Sequence, residues 1–275
     1  MPPDAFSPTG QFWGNPHYDW GKMRANDYAW WVARFQNTLS LVDIIRIDHF
    51  RGFAAAWTIP AGSETAASGW WVKGPGRSVF DAAMNQLGSV PVIVEDLGLI
   101  TADVGELRRA LDYPGMAVLQ FAFDGNPANP YIPHNYREPM VVYPGTHDNQ
   151  TTVGWFSTLS EGDRIRVMTY LGTTGADIAW DFIRLAYESV AEFAIVTMQD
   201  VLRLGDEARM NWPGVAQGNW KWRFRIDQLD PGLAAGLAQL TQTFGRDRKL
   251  RPPSGYDPYD YTIPGTKHAL RNPWE

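Results

Sequence analysis

Residues 44–49 read IIRIDH, a short apolar run that ends in an acidic residue, Asp48. Residues 92–96 (VIVED) and 141–148 (VVYPGTHD) follow the same pattern and bring Glu95 and Asp148 to the ends of two further apolar runs. Short runs of this kind, bounded by turns, are typical of buried strands in a parallel sheet. Barrels and doubly wound sheets carry their active sites at the carboxyl ends of such strands. We therefore expect the three carboxylates to converge on one site.

Segments with helical periodicity lie between these strands. The pattern predicts helices over 26–39, 78–87, 101–111, 151–158, 161–171, 176–189 and 232–244, and strands over 43–47, 91–94, 116–123, 140–143 and 193–197. The alternation indicates an α/β fold with the spacing of a TIM (β/α)₈ barrel. A closed barrel needs eight strands, and five are predicted. The residues therefore fit two folds, the C-terminal part of a barrel or a smaller open α/β sheet. We expect residues 1–25 to be irregular.

Composition excludes several classes of protein. The chain has 275 residues, with 24 Lys and Arg against 30 Asp and Glu and no basic block, so we expect no nucleic-acid partner. No apolar stretch approaches the roughly 20 residues of a membrane helix, and the first residues do not resemble a secretion signal. The absence of cysteine excludes disulfides and thiolate metal sites and fits a reducing compartment. We therefore predict a cytoplasmic protein with no membrane partner.

The aromatic content is high, with 13 Trp, 11 Tyr and 13 Phe. Many of these residues stand beside Gly, Pro or Asn in loop-like sequence, as in FWGNP (12–16), GWW (69–71) and GNWKW (218–222). Flat apolar rings on loops suit the C–H faces of sugar rings, and barrels build their ligand sites from such loops. Aromatic packing that only stabilises the loops is the alternative.

The carboxylates fit the cleavage of a glycosidic bond. A retaining glycosidase places two carboxyl groups about 5–5.5 Å apart, one as nucleophile and one as proton donor. Arg46 lies two residues before Asp48, on the same side of the strand, where its charge favours an ionised Asp48. Glu95 has no basic neighbour in the sequence, a setting that raises a carboxyl pKa. The alternative is structural, with Asp48 capping a loop and Glu95 pairing with a cation of the fold.

The histidines allow a second kind of chemistry. His49 and His147 each stand beside an acid, which could suggest a metal site, but the chain has no HxH or HExxH pattern. We predict no metal ligands. His17 and His134 lie in loops rich in Pro and Tyr and are expected at the surface. No GxSxG sequence indicates a serine nucleophile.

Six blocks occur in order along the chain. They are FWGNPHYDW (12–20), RIDHFRG (46–52), VEDLG (94–98), GTHDN (145–149), QDVLRLGDEARMN (199–211) and GNWKWR (218–223). Together they resemble the signature blocks of the 4-α-glucanotransferases, also called amylomaltases or disproportionating enzymes, which form glycoside hydrolase family 77 in the α-amylase clan. The resemblance spans about residues 2–244.

The resemblance implies a TIM barrel enzyme that transfers α-1,4-glucan segments from a donor maltodextrin to an acceptor glucan or glucose without a cofactor. It implies that Asp48 is the nucleophile, Glu95 the general acid/base and Asp148 the third acid, which stabilises the transition state. It also implies that the substrate is bound by Arg46, His49, His147, Trp13, Asn149 and Asn219. Trp13 resembles a residue on the acceptor side, and Asn219 lies in a block that forms a loop over the cleft.

The chain departs from the family in length, since members of the family are considerably longer. We therefore expect residues 1–246 to be the C-terminal part of the catalytic barrel, with its fourth to eighth strands, and the preceding N-terminal part of the same enzyme to be a partner. The tail, residues 247–275, has no counterpart and is expected to be loosely ordered. Two alternatives stay open: an α-glucan hydrolase of the same clan, and a truncated, inactive fragment that at most binds α-glucans.

Overall fold

The computed structural model describes residues 1–3, 7–98, 100–137 and 139–247. The chain divides into two compact units, Met1–Trp222 and a second unit that begins at Arg223. The predicted domain boundary after residue 246 stays a prediction. The tail was expected to be loosely ordered, and its residues from 248 onward lie outside the described part of the chain. No helix in the described ranges is long and apolar enough to cross a bilayer.

Five of the strands run parallel to a neighbour. The strands of the described residues are β1 Ile45–Ile47, β2 Ala55–Thr58, β3 Trp70–Lys73, β4 Val92–Val94, β5 Gly115–Val118, β6 Met140–Tyr143 and β7 Phe193–Ala194. β1 pairs with β4, and β6 lies between β5 and β7, all in parallel register. A backbone hydrogen bond of 3.0 Å from Val94 to Pro114 links β4 to the start of β5. β2 and β3 form a separate antiparallel hairpin.

Helices follow or precede each parallel strand. In the first unit they are α1 Trp20–Ala25, α2 Ala29–Leu39, α3 Arg51–Ala54, α4 Ser78–Leu87, α5 Ala102–Leu111, α6 Thr152–Thr158, α7 Glu161–Leu171, α8 Ile178–Glu188 and α9 Met198–Val201, and the second unit contains α10 Pro231–Thr243. Apolar residues at helical spacing therefore predicted α2, α4 to α8 and α10 to within three residues at each end.

Other parts of the sequence prediction were wrong. Residues 1–25 include α1, whose first turn is capped by Asp19 through a 3.0 Å hydrogen bond from the Lys22 N–H. Asn26 does not cap α2, because Tyr28 in a left-handed conformation precedes it. The hairpin of β2 and β3 was not predicted at all.

Two predicted strands are shorter than expected. The strand predicted over 116–123 ends at Val118 and continues as a 3₁₀ turn over Leu119–Phe121. The strand predicted over 193–197 ends at Ala194. Their shared neighbour β6 is followed by Pro144, which has no N–H with which to continue a ladder.

The described residues form three buried apolar clusters, of which one consists mainly of strand residues and two join helices to the strands. In the first of these two, α2 to α5 pack on β1 and β4, and the rings of Phe53 in α3 and Phe80 in α4 are centred 4.8 Å apart. In the second, α7 and α8 pack on β5 and β6 around Phe182 and Val142, which are completely buried. These cores hold the parallel strands in register, so the residues after the strands have fixed positions at the carboxyl edge.

Candidate active site

Asp48 follows β1 directly and reaches solvent. Its side chain is 73% exposed, and its Oδ1 accepts a hydrogen bond of 2.8 Å from Nη1 of Arg46. Because residues 46 and 48 lie on the same side of the strand, the pair forms within β1 and its first loop residue. The predicted pairing of Arg46 with Asp48 is confirmed, and Asp48 is held by a cation rather than by a helix end.

Glu95 follows β4, the strand that pairs with β1. Its Oε2 accepts the N–H of His49 at 2.7 Å, and its Oε1 accepts the N–H of Leu97 at 2.9 Å. Burial raises the pKa of Glu95, Asp48 raises it further, and the two N–H donors and Arg46 act in the opposite direction. The predicted rise in the pKa of this carboxyl is therefore confirmed, with burial as the main cause.

The neighbouring acid, Asp96, connects parts of the fold. Its carboxylate accepts the N–H of Met116 in β5 at 2.8 Å and pairs with Arg108 of α5 at 3.2 Å. A Cβ at Gly115 would overlap this carboxylate, so the glycine gives Asp96 its place. Asp96 thus joins β4 to β5, while Glu95 is oriented toward the loop after β1.

His49 and Trp13 border the pair of acids. His49 has a left-handed backbone (φ 48°), and its ring contacts Trp13 edge-on with centroids 5.4 Å apart. Burial lowers the pKa of His49 and so favours the neutral ring, although Asp48 opposes this effect. Trp13 is 54% exposed and donates to Oε1 of Gln11 at 3.0 Å. The structure thus brings Arg46, Asp48, His49, Glu95 and Trp13 together.

Asp148 lies in the loop between β6 and α6. A turn within this loop is closed by Asn149, whose Oδ1 accepts the N–H and the hydroxyl of Thr146 at 2.9 and 2.8 Å. Nε2 of His147 lies 3.5 Å from Oδ1 of Asp148. Asn149 was predicted to bind substrate, and in the structure its side-chain oxygen shapes the loop that carries Asp148.

Two residues near Asp148 were not singled out from the sequence. Nδ2 of Asn211 donates to Oδ1 of Asp148 at 2.6 Å, and the guanidinium of Arg209 donates to the Asp148 carbonyl, also at 2.6 Å. Both lie in the block QDVLRLGDEARMN, so the resemblance contained them. Only the folded chain shows that they meet Asp148, because they are more than 60 residues away from it in sequence.

Asn219 organises the loop that ends at Trp220. Its Oδ1 accepts the N–H of Trp212 at 2.9 Å, and its Nδ2 donates to the Val215 carbonyl at 2.8 Å. The Trp220 ring lies against His147, with centroids 5.2 Å apart. The side chain of Asn219 therefore forms the loop, and the loop brings an aromatic ring to the Asp148 side of the site.

A cavity of about 220 Å³ opens beside the loop that carries Asp148, although Asp148 itself does not line it. Its wall comes from the loop after β6, the segment after β7 and the loop before Trp220, and the residues that line it are Gly145, Thr146, His147, Asn149, Gln150, Thr151, Thr197, Gln199, Asp200, Arg209, Met210 and Trp220. The cavity lies entirely within the first unit. In the described part of the chain, no three His, Asp or Glu side chains form a group that could bind a metal ion.

The strand that leads to the Asp148 loop ends in a buried tyrosine, Tyr143. Burial raises the pKa of Tyr143, and the charge of Arg46 opposes the rise. His17 and His134 are exposed, as predicted, and His134 contacts Tyr170 of α7.

A sequence model of the 4-alpha-glucanotransferase family matches residues 1–228. The chain belongs to the 4-alpha-glucanotransferase family. The resemblance in the six sequence blocks is therefore confirmed. The match includes every residue of the candidate site, from Trp13 to Asn219.

Curated 4-alpha-glucanotransferases are similar over most of this chain. The enzyme of Synechocystis is 50% identical over 249 residues, which are 90% of this chain and 49% of that protein. The chloroplastic/amyloplastic enzyme of Arabidopsis thaliana is 51% identical over 251 residues, covering 90% of this chain and 43% of that protein. The chain thus spans about half the length of the curated 4-alpha-glucanotransferases that it matches.

A solved structure gives the same result. The amylomaltase from Streptococcus agalactiae, in complex with acarbose, superposes with a TM-score of 0.85 at 36% identity. The superposition covers 89% of this chain and 50% of that one. The predicted α/β class is therefore confirmed as the glycoside hydrolase-like fold of an amylomaltase.

Proposed function

We propose that the chain carries the catalytic residues of a 4-alpha-glucanotransferase, which moves α-1,4-glucan segments from a donor maltodextrin to the 4-hydroxyl of an acceptor glucan or glucose. The observation that carries the proposal is the contrast between two neighbouring carboxyl groups. Asp48 is exposed and paired with Arg46, whereas Glu95 is partly buried with a raised pKa. A retaining glycosyl transfer needs one ionised and one protonated carboxyl group.

The first half of the reaction breaks the donor linkage. The Asp48 carboxylate attacks C1 of the donor sugar, the bond from C1 to the glycosidic oxygen breaks, and the Glu95 proton moves to that oxygen. A covalent glucosyl-enzyme remains on Asp48. The hydrogen bonds from the N–H groups of His49 and Leu97 fix the Glu95 carboxyl, and each of its oxygens keeps a second lone pair for the proton.

The second half forms the new linkage. The Glu95 carboxylate takes the proton of the acceptor 4-hydroxyl, the hydroxyl oxygen bonds to C1, and the bond from C1 to Asp48 breaks, so the configuration at C1 is retained. Water competes with the acceptor at this stage. The exposed ring of Trp13 beside His49 offers a surface on which an acceptor sugar stacks and excludes water.

Asp148 stabilises the charge that develops on the donor ring. Its Oδ1 is occupied by Asn211, which leaves the second oxygen to face sugar hydroxyls and the oxocarbenium-like transition state. Arg46, His49 and His147 surround the reacting sugar. Asn149 and Asn219 contribute by shaping the two loops that border the substrate cleft.

The proposal includes a barrel of which this chain supplies the fourth to eighth strands. Among the described residues, β1 pairs with β4 alone, and the approach to β1 exposes apolar side chains, with Leu41 83% exposed. An unpaired strand edge and an exposed apolar approach are the features that a further segment would cover. The relatives are about twice as long, and their N-terminal half is the partner that we propose. The predicted cytoplasmic location remains part of the proposal.

Incubation with maltotriose tests the function. The chain is assayed alone and mixed with the N-terminal half of the Synechocystis relative, and the products are separated by size. Glucose together with maltodextrins longer than maltotriose supports transfer, whereas new reducing ends without elongation indicate the hydrolase. If neither kind of product forms, with or without the added N-terminal half, the chain is an inactive fragment. Asp48→Ala in the same mixtures controls for contaminating enzymes.

A further inference from the structure

The Asp148 loop is fastened at its far end by a carboxylate that the reaction does not use. Gln150, two residues after Asp148, donates from Nε2 to Oδ2 of Asp206 at 2.5 Å. The N–H of Thr151 donates to the other oxygen, Oδ1, at 3.3 Å. Both oxygens of one side chain thus hold two consecutive residues at the start of α6.

The same residue also begins the segment that contacts Asp148. Asp206 is the first residue of a 3₁₀ turn over Asp206–Ala208, and its carbonyl accepts the N–H of Arg209 at 3.0 Å. Arg209 and Asn211 then donate to the carbonyl and carboxylate of Asp148. The Asp206 side chain therefore closes a ring of contacts that runs from the loop to the 3₁₀ turn and back to Asp148.

The packing around this carboxylate leaves it little freedom. A Cβ at position 154 would overlap the Asp206 carboxylate, so the approach of α6 depends on Gly154. In addition, Nε2 of the buried Gln120 donates to the Gln150 carbonyl at 2.9 Å. Gln150 is thus fixed from two directions, by Gln120 through its backbone and by Asp206 through its side chain.

A second carboxylate supports the next residue. Asp200, which is 1% exposed, accepts the N–H and the hydroxyl of Thr152 at 2.8 and 3.0 Å. Asp200 and Asp206 both lie in the segment after β7. Their hydrogen bonds therefore join this segment to the start of α6 at two points. Asp200 holds the first residue of α6 from the cavity wall, whereas Asp206 holds the two residues before it, nearer to Asp148 in the sequence.

We propose that Asp206 is a positioning residue for glucan transfer, which holds the Asp148 carboxylate at the site by tying residues 150 and 151 to the segment that contains Arg209 and Asn211. The inference rests on the proposed function, because it assigns Asp148 a part in the transition state. Its chemical requirement is two acceptor oxygens at one position, which aspartate supplies. Asparagine supplies one and alanine none.

The test combines hydrogen–deuterium exchange with kinetics on the full chain, comparing Asp206→Ala, Asp206→Asn and Asp163→Ala. Asp163 is a matched control, since it pairs with Arg166 on the surface of α7, away from the loop. We expect Asp206→Ala to accelerate amide exchange over residues 148–152 about tenfold and to leave α4 unchanged. In the mixture that elongates maltotriose, kcat should fall about 10- to 100-fold with KM changed less than about threefold, and Asp206→Asn should lie between.

The two readouts separate this inference from the proposed function. If the wild-type chain never elongates maltotriose, the proposed function fails and exchange over 148–152 alone decides whether Asp206 holds the loop. Exchange over 148–152 equal to that of Asp163→Ala overturns the inference. A uniform acceleration that includes α4 also overturns it, because it indicates general destabilisation. Should Asp206→Ala fail to fold, Asp206→Asn decides by the same criteria.

Discussion

Two regions of the molecule present acidic side chains at the carboxyl ends of strands, and they hold them differently. Arg46 holds Asp48 from two residues away. Glu95 is held by Leu97, two residues further on, and by His49 across the pair of strands β1 and β4. Asp148 is fixed by side chains 61 and 63 residues further along the chain. The first region needs only the register of β1 and β4. The second needs the correct packing of a distant loop.

We infer from this difference that the first region carries the bond-breaking step and that the second adjusts the geometry of the site. Backbone N–H donors and burial set the protonation of Glu95, and they change little when a surface residue is replaced. The Asp148 region depends on individual side chains, so single substitutions there alter its geometry. We therefore expect substitutions of Asp48 and Glu95 to abolish the reaction and those around Asp148 to reduce it. All measurements below use the mixture that elongates maltotriose.

The largest effect is expected for Asp48→Asn. The variant keeps the size of the side chain and removes the nucleophilic charge, so transfer should fall about 10⁴-fold. Initial rates of elongation measure the loss. Asp112→Asn, at the exposed C-terminal end of α5, is the control and should keep wild-type activity. Transfer by Asp48→Asn at more than about a tenth of the wild-type rate would show that another residue attacks the sugar.

Glu95→Gln is expected to lower transfer about 10²- to 10⁴-fold, because the leaving oxygen receives no proton. Glu95 must be protonated in the first step, so the wild-type rate should fall as pH rises through its raised pKa, and the variant should lose this alkaline limb. The measurement is the pH profile of kcat/KM. α-Maltosyl fluoride, whose leaving group needs no proton, should restore glycosylation in Glu95→Gln but not in Asp48→Asn. Without that restoration, Glu95 is not the acid.

Asn211→Asp tests the second region directly. It places a like charge 2.6 Å from Oδ1 of Asp148, where the amide now donates a hydrogen bond. Repulsion should displace the Asp148 carboxylate and lower kcat about 10- to 100-fold. Asn37→Asp, on the exposed face of α2, adds the same charge elsewhere and should have no effect. Equal rates for the two variants would mean that the position of Asp148 does not depend on Asn211.

The smallest effect is expected for Trp13→Ala. Loss of the exposed ring beside His49 should lower the ratio of transfer to hydrolysis about three- to tenfold, because an acceptor sugar then competes less well with water. Counting elongated products against new reducing ends gives the ratio. Trp30→Ala removes a tryptophan of similar exposure from α2 and should leave the ratio unchanged. A constant ratio in Trp13→Ala would place the acceptor elsewhere.

The sequence predicted much of the first region because its ion pair lies within two residues and its two acids end two recognisable strands. The two-residue spacing of Arg46 and Asp48 and the apolar run before Glu95 are enough to indicate an ion pair and a carboxyl with a raised pKa. The sequence did not indicate that Asn149 and Asn219 turn inward to shape loops, nor that Asn211 and Asp206 hold the Asp148 loop. For Asn211 and Asp206, the hydrogen bonds join segments more than 50 residues apart and leave no periodic pattern in the chain. For Asn149 and Asn219, the bonds are local but lie in irregular loops, whose turns the apolar pattern does not specify.

By itself, the sequence determined the helices α2, α4 to α8 and α10, the segments that form the parallel strands and the family, because apolar periodicity and fixed motif spacing are properties of short stretches. It also named the three acids. The tertiary structure alone decided which carboxyl group is exposed and which is buried, that Asp96 serves the sheet while Glu95 faces the site, and which distant side chains hold Asp148. Burial and hydrogen bonding between segments set these properties, and both arise only when the strands pack side by side.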